Sequence, residues 1–279
     1  MLTDKVANDI RLGWTGNPLR WLAPGEAAEF DLGDEPCDFW GMWDECQDWG
    51  VDLLLQPSGD RRKRLLVADM DSTMIEQECI DELAAEAGVG GLVAGITARA
   101  MNGEIDFPTA LRERVALLKG LPVATVGKVL ATRITLMPGG PELVATMRAN
   151  GAHALLVSGG FLSFAEPIAR ALGFHEARAN ALLAHDGLLT GAVAEPILGR
   201  DAKAEALLDA CARLRLGPAD ALAVGDGAND LGMLALAGCG VALHAKPAVQ
   251  ERCALRVNHG DLSALLFLQG YARSEFVSS

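Results

Sequence analysis

Residues 65–73 read Leu65-Leu66-Val67-Ala68-Asp69-Met70-Asp71-Ser72-Thr73, a short apolar run that stops abruptly at two carboxylates and two hydroxyls. An unbroken apolar run closed by a polar cluster is the pattern of a strand buried on both faces, as in a parallel sheet covered by helices. Three more runs have this character: Ala154-Leu155-Leu156-Val157, Ala221-Leu222-Ala223-Val224 and Gly240-Val241-Ala242-Leu243. Helical patterns separate them, so the order predicts an α/β fold with a Rossmann-like parallel sheet. Two of the later runs also end in polar or glycine-rich clusters, Ser158-Gly159-Gly160 and Gly225-Asp226-Gly227-Ala228-Asn229-Asp230. Ligands of open α/β sheets bind at the carboxyl ends of strands, so the three clusters are expected to meet in one crevice.

Working outward, about eighty residues lie between the first and second runs and read as several helices, bounded by Gly88, Gly103, Gly120 with Pro122, and Pro138-Gly139-Gly140. An insertion at that point sits over the crevice. Further on, Ala181 to Ala194 carries Asp186-Gly187 between two apolar runs, a β-hairpin signal. All five tryptophans (Trp14, Trp21, Trp40, Trp43 and Trp49) fall in the first 49 residues. This shift in composition, followed by Pro57-Ser58-Gly59-Asp60, marks residues 1–60 as a Trp-rich N-terminal extension. The basic run Arg61-Arg62-Lys63-Arg64 reads as a solvated lead-in to the first strand rather than a nucleic-acid patch.

The chain has 279 residues, half of them apolar, enough for one substantial core or two modest ones. No apolar stretch approaches the roughly 18 residues of a membrane span. The polar start, Met1-Leu2-Thr3-Asp4-Lys5, leads into no apolar signal core, and the expected location is the cytoplasm. Six cysteines show no Cys-x-x-Cys pair or zinc-ligand spacing, which fits reduced structural thiols. The five histidines show no helical metal spacing either. A net charge of −13 repels nucleic acid and anionic membranes, so neither is an expected partner. An anionic substrate would need a metal ion and a few local basic groups.

The clusters hold the groups for such chemistry. Asp69 and Asp71, two apart at a strand end, send their carboxylates to the same side. With a divalent cation neutralising a phosphate, Asp69 can attack phosphorus to form an aspartyl-phosphate. Asp71 can protonate the leaving alkoxide and later take a proton from water. Taken alone, an Asp-x-Asp pair is more often a loop or cap. Asp226 offers another hard oxygen ligand, which suits magnesium better than zinc or copper, and Asn229 and Asp230 can orient the site from behind it. By itself that loop would read as a tight turn capping a helix. Ser158 and the backbone N–H groups around Gly159 can bind phosphate oxygens, or simply cap the next helix. Lys203 stands near the start of the amphipathic stretch Ala202 to Leu214, where a cation opposes the helix dipole unless an anion is shared.

In this order the four signals resemble the motifs of the haloacid dehalogenase superfamily of phosphatases. The resemblance is closest to the phosphoserine phosphatases, through DMDSTMIEQECID (Asp69 to Asp81), NGEIDFPTALRER (Asn102 to Arg114), VSGGF (Val157 to Phe161) and VGDGAND (Val224 to Asp230), and spans roughly residues 64–266. It implies Asp69 as nucleophile and Asp71 as general acid and base. Mg²⁺ would be held by the Asp69 side chain, the Asp71 backbone carbonyl and Asp226. Ser158, Gly159, Lys203 and Asn229 would serve the phosphate, with Asp230 in support. The inserted helices, residues 75–137, correspond to the family's cap, and residues 61–74 with 138–279 to its core.

O-phosphoserine carries an ammonium and a carboxylate besides its phosphate, so a selective pocket needs one anionic and one cationic group. Glu78 and Arg114 match the family positions for these roles. Phe107, Leu111 and Arg114 share one helical face, and Met101 is a weaker lid candidate. The implied reaction is hydrolysis of O-phospho-L-serine to L-serine and phosphate, the last step of serine synthesis. The alternatives are another small phosphomonoester, such as phosphohomoserine or phosphothreonine, or a noncatalytic phospho-ligand-binding protein; having both Asp69 and Asp71 argues against the last. Longer bacterial members carry a regulatory amino-acid-binding module that residues 1–60 are too short to form, so the extension reads as an accessory layer or a homodimer contact.

Overall fold

A computed structural model gives the structure of residues 2–199 and 201–278. The extension consists of α1 (Asp4–Gly13), a hairpin of β1 (Arg20–Ala23) and β2 (Ala27–Glu29), and α2 (Phe39–Asp48). Strand β3 (Leu65–Ala68) follows, and then the insertion: α3 (Cys79–Glu86), α4 (Gly90–Met101), α5 (Phe107–Ala116) and α6 (Ala124–Thr132). The chain returns through α7 (Gly140–Ala149), β4 (His153–Phe161), α8 (Leu162–Leu172), β5 (Glu176–Asn180) and a hairpin of β6 (Leu182–His185) and β7 (Leu188–Val193). It ends with α9 (Ala202–Leu214), β8 (Ala221–Gly225), α10 (Leu231–Leu236), β9 (Cys239–Leu243), α11 (Pro247–Gln250), β10 (Leu255–Val257) and α12 (Ala264–Leu268).

Six of these strands form one parallel sheet in the order β10-β9-β8-β3-β4-β5. All residues of β3 are fully buried, because helices cover both faces. Leu66 and Ala68 join the core cluster under the inserted helices α3–α6 and α7–α8, and Leu65 and Val67 join the one under α9 and α10. This alternation is the period-2 consequence of a strand buried on both sides. β3 pairs with β4 on one side and β8 on the other, so the strand order reverses at β3. The crevice expected at such a switch point therefore opens directly after Ala68.

The four apolar runs read from the sequence all form central strands, and the Asp186-Gly187 hairpin forms with φ of 49° and 77°, the pair of positive angles a tight two-residue turn demands. β5 and β10 were not legible as strands: Glu176-Ala177-Arg178-Ala179-Asn180 has no apolar run because it is an edge strand, and β10 is only three residues long.

The extension packs on the core. The Asp52 carboxylate accepts the N–H groups of Asn258 at 2.7 Å and Gly260 at 2.7 Å, and Gln56 donates to Leu268 O at 2.6 Å. The Arg256 guanidinium lies 4.2 Å from the Trp40 ring and 5.1 Å from that of Trp43, so two of the clustered tryptophans clamp a core side chain. In the basic lead-in, Arg61 pairs with Glu29 and Arg62 with Glu275, both at 2.7 Å. Among the described residues the cysteines are all free, and no helix is long and apolar enough to cross a membrane.

Candidate active site

Asp69 is the first residue beyond β3, and its N–H still reaches Val224 O at 3.0 Å, so the sheet itself fixes the position of its carboxylate. Asp69 Oδ1 accepts the Met70 N–H at 2.8 Å and lies 2.6 Å from Lys203 Nζ. Oδ2 has no hydrogen-bond partner among the described residues. The ammonium of Lys203 is buried and also lies 2.6 Å from Asp230 Oδ1, while Asp230 Oδ2 accepts the Gly227 N–H at 2.9 Å. Asp230 thus uses one oxygen on the lysine and the other on the turn. The lysine is brought there by the first turn of α9, and the two carboxylates around it hold its pKa above the usual lysine range.

Oxygens of Asp69, Asp226 and Asp230 lie within 4.8 Å of one another. Three carboxylates around one ammonium leave a buried site short of positive charge. Burial, then Asp230, pushes the Asp69 pKa well above the carboxylate range despite Lys203, and the same two causes in the same order move Asp226 up to about 6. A small divalent cation is what this all-oxygen donor set lacks, so the residues fit Mg²⁺. Thr73 is fully buried and donates to Asp226 Oδ1 at 3.3 Å.

Asp71 plays a different part. Its carboxylate stands outside the acidic cluster, Oδ1 accepting the Cys79 N–H at 2.8 Å and Oδ2 the Ser158 hydroxyl at 3.1 Å. Any contact of Asp71 with a metal would therefore fall to its backbone carbonyl. Burial holds the Asp71 pKa above the ordinary carboxylate range, and the two hydrogen bonds pull it back down. Ser158 Oγ in turn accepts the Gly160 N–H at 2.8 Å. The ends of β3, β4 and β8 thus converge as the sequence anticipates.

A cavity of about 310 Å³ adjoins these groups, lined by Phe107, Gly159, Leu198, Lys203 and Asn229 among others. The Phe107 ring sits against Gly159 so closely that a Cβ there would meet Phe107 Cζ at 3.2 Å. Glu78, just before α3, is exposed and accepts the Ser72 hydroxyl at 2.9 Å, and its pKa is pushed to about 7 by desolvation first and by Asp71 second. Arg114 is half-buried on α5 and reaches only Ala110 O at 3.3 Å and Thr97 Oγ1 at 3.5 Å, with no ion pair among the described residues. It feels the charges of Asp81, Glu78 and Asp71 in that order, so it is a cation within electrostatic reach of those carboxylates and without a salt-bridge partner among the described residues. Met101 is 68% exposed at the end of α4 and does not line the cavity.

The haloacid dehalogenase-like hydrolase family model matches residues 66–235, which include Asp69, Ser158, Lys203 and Asp226. The chain belongs to the haloacid dehalogenase-like hydrolases. Among sequence relatives, it is 46% identical over 210 residues to the phosphoserine phosphatase of Polaromonas sp. strain JS666, a match covering 74% of this chain and 89% of that one. It is also 46% identical over 215 residues to phosphoserine phosphatase SerB2 of Mycobacterium tuberculosis, where the match covers 77% of this chain but only 52% of the relative. The chain therefore spans about half the length of that longer protein. Among solved structures, a hydrolase of the same superfamily from Salmonella enterica serovar Typhi superposes with a TM-score of 0.88 at 30% identity, covering 95% of this chain and 94% of that one. A phospho-aspartyl intermediate analogue of phosphoserine phosphatase superposes at 0.69 with 40% identity, over 74% and 98%.

Several residues around the site of this hydrolase have roles that only the fold reveals. Ser72 and Thr73 stood inside the quoted motif, yet only the fold shows their hydroxyls on Glu78 and Asp226. Asn180 lies outside every motif in the sequence. The one available signal was an amide closing a segment with no apolar run, an unfavourable residue in a strand unless its side chain has a partner.

Proposed function

We propose that this chain is a phosphoserine phosphatase, hydrolysing O-phospho-L-serine to L-serine and phosphate through an aspartyl-phosphate on Asp69, with residues 75–137 as a cap closing over a core made of residues 61–74 and 138–279. The observation that carries this reading is the pairing of two unlike halves: a lysine-braced carboxylate at the sheet's switch point, and an Arg114 that makes no ion pair among the described residues yet lies within electrostatic reach of Glu78 and Asp71. Phosphate chemistry belongs to the first half, and an amino-acid substrate accounts for the second.

Asp69 Oδ1 is held by Lys203 and the Met70 N–H, which leaves Oδ2 to attack phosphorus. Ser158, the Gly159 backbone, Lys203 and Asn229 bind the phosphate oxygens. Asp71, its pKa raised by burial, delivers a proton to the departing serine oxygen and then accepts one from the water that attacks the aspartyl-phosphate. The Asp69 and Asp226 carboxylates and the Asp71 backbone carbonyl would hold Mg²⁺, which when bound would neutralise charge on the phosphate. Thr73 and Asp230 brace that set. Arg114 takes the substrate carboxylate, Glu78 the ammonium, and Phe107 packs over the phosphate-binding turn. The reading carries a cytoplasmic enzyme of serine synthesis whose partner is a small molecule.

The test is phosphate release from phosphoserine, phosphohomoserine, phosphothreonine and sugar phosphates, with Mg²⁺ and with chelator. Phosphoserine should be preferred and the chelator should abolish turnover. A clear preference for another ester overturns the substrate assignment, and full activity in chelator overturns the metal.

A further inference from the structure

The phosphate-binding turn is a break in the sheet. Strand β4 pairs with β5 in register through Val157, opposite Arg178, and resumes only at Phe161, opposite Asn180. Ser158, Gly159 and Gly160 bulge out between them, and a bulge leaves backbone groups without a ladder partner. The side chain of Asn180 restores what the ladder loses. Its Nδ2 donates to Gly159 O at 2.8 Å and its Oδ1 accepts the Leu198 N–H at 2.8 Å. The amide orientation is forced, because a flipped side chain would face carbonyl with carbonyl and N–H with N–H. Asn180 is 2% exposed, so no water replaces either bond cheaply.

The peptide joining Gly159 to Gly160 is therefore fixed at both ends, its C=O by Asn180 and its N–H by Ser158 Oγ at 2.8 Å. Ser158 passes the constraint on, donating to Asp71 Oδ2 at 3.1 Å. We infer that Asn180 is a positioning residue for the reaction, aligning Asp71 through the Gly159–Gly160 peptide and Ser158 while tethering Leu198 at the cavity wall. The inference rests on Asp71 being the acid and base of the proposed phosphatase. Asn180 touches neither phosphate nor metal in this role. Its contribution is to the orientation of the proton-transfer group, so it acts on kcat more than on KM.

The experiment is a double-mutant cycle of Asn180→Leu and Ser158→Ala on the full chain, with turnover of phosphoserine and of an aryl phosphate and thermal unfolding of each variant. Asn180→Leu should lower kcat by about ten- to a hundredfold with KM changed by less than about threefold, since misplacement on the order of an ångström costs that much. In the Ser158→Ala background the same substitution should cost less than about threefold, because the route to Asp71 is already cut. Equal losses in both backgrounds, or a loss confined to KM, would overturn the inference. Asn180→Ser guards against misfolding: it is too short to hold both Gly159 O and the Leu198 N–H and brings neither a bulky apolar group nor a buried charge to the bulge, so its kcat should fall while its melting temperature stays nearer the wild type. Wild-type kcat in that variant would also overturn it. Failure of the phosphatase reading itself would appear in the wild type, on both esters, and not as a difference between variants.

Discussion

Replacing Arg114 by alanine separates the two halves of the site. The guanidinium is half-buried and makes only two long hydrogen bonds to the protein, at 3.3 and 3.5 Å, with no ion pair among the described residues. Its removal therefore leaves little unpaired behind, and relieves a charge whose pKa burial already lowers. The cost to stability should stay below about 1 kcal/mol, within the range of a substitution that breaks no buried network. With phosphoserine bound the balance changes. A hydrogen bond to a charged group contributes about 1.5–3 kcal/mol, and truncating one partner of a desolvated charge pair costs about 2–5 kcal/mol. Taking about 3 kcal/mol, and about 1.4 kcal/mol per factor of ten, kcat/KM for phosphoserine should fall by roughly a hundredfold or somewhat more. An aryl phosphate has no carboxylate, and its kcat/KM should change by less than about threefold. Steady-state kinetics on both esters, with unfolding curves for both proteins, gives all the numbers needed. Equal losses on the two esters would refute the reasoning, because Arg114 would then serve the phosphate or the fold.

Asp69→Asn should lower kcat by at least about a thousandfold while the far-ultraviolet spectrum and melting temperature stay near wild type, since an amide of nearly the same shape is a poor nucleophile; substantial residual turnover would mean another nucleophile. Lys203→Met should destabilise the metal-free protein by about 3–5 kcal/mol in urea unfolding at neutral pH, because it leaves the paired carboxylates of Asp69 and Asp230 buried without their cation. Asp226 has a folded pKa of about 6, above its ordinary 3.8, so the stability it lends to metal-free protein is full below that ordinary value and lost as pH rises through about 6. Mg²⁺ should therefore raise the melting temperature more at pH 7.5 than at pH 5, and Asp226→Asn should flatten the difference. Thr73→Val should weaken Mg²⁺ by about ten- to a hundredfold in a titration of activity against metal, as loss of a ligand-orienting group does elsewhere.

The central sheet was legible because its strands are covered on both faces. Leu65 to Ala68 could only be an apolar run, and the end of that run had to carry whatever chemistry the switch point supports. The Asp69, Ser158, Lys203 and Asp226 positions were readable for the same reason, as polar interruptions at strand ends and at a helix start. Legibility failed where a residue's task is to satisfy backbone rather than substrate. Asn180 looks like any polar residue on an edge strand, and its meaning depends on a bulge in the neighbouring strand that periodicity does not announce. The loop carrying Asn229 and Asp230 left open a helix cap as well as a bracing role, and only the fold shows that the Asp230 side chain makes no cap bond to α10 and goes to Lys203 and Gly227 instead. The extension's tryptophans marked a boundary in composition, but nothing in that composition pointed to Arg256 as the core side chain Trp40 and Trp43 would clamp.

Asp71 joins these levels. One of its oxygens accepts the N–H of Cys79, the first residue of α3, and the other accepts the hydroxyl of Ser158 at the end of β4. The proposed acid and base is thus held between the first inserted helix and the central sheet, rather than by the sheet alone. Both bonds favour the ionised carboxylate, while burial favours the protonated one, and a group that must give a proton and then take one needs those tendencies to oppose each other. Glu78, one residue before Cys79, is carried by the same chain entry into α3 and tied to Ser72 in the nucleophile loop. A substrate ammonium that engages Glu78 therefore acts on the segment that supplies one of Asp71's two hydrogen bonds. On the proposed function, recognition of the amino acid and alignment of the proton-transfer group share one short stretch of backbone, Glu78 to Cys79.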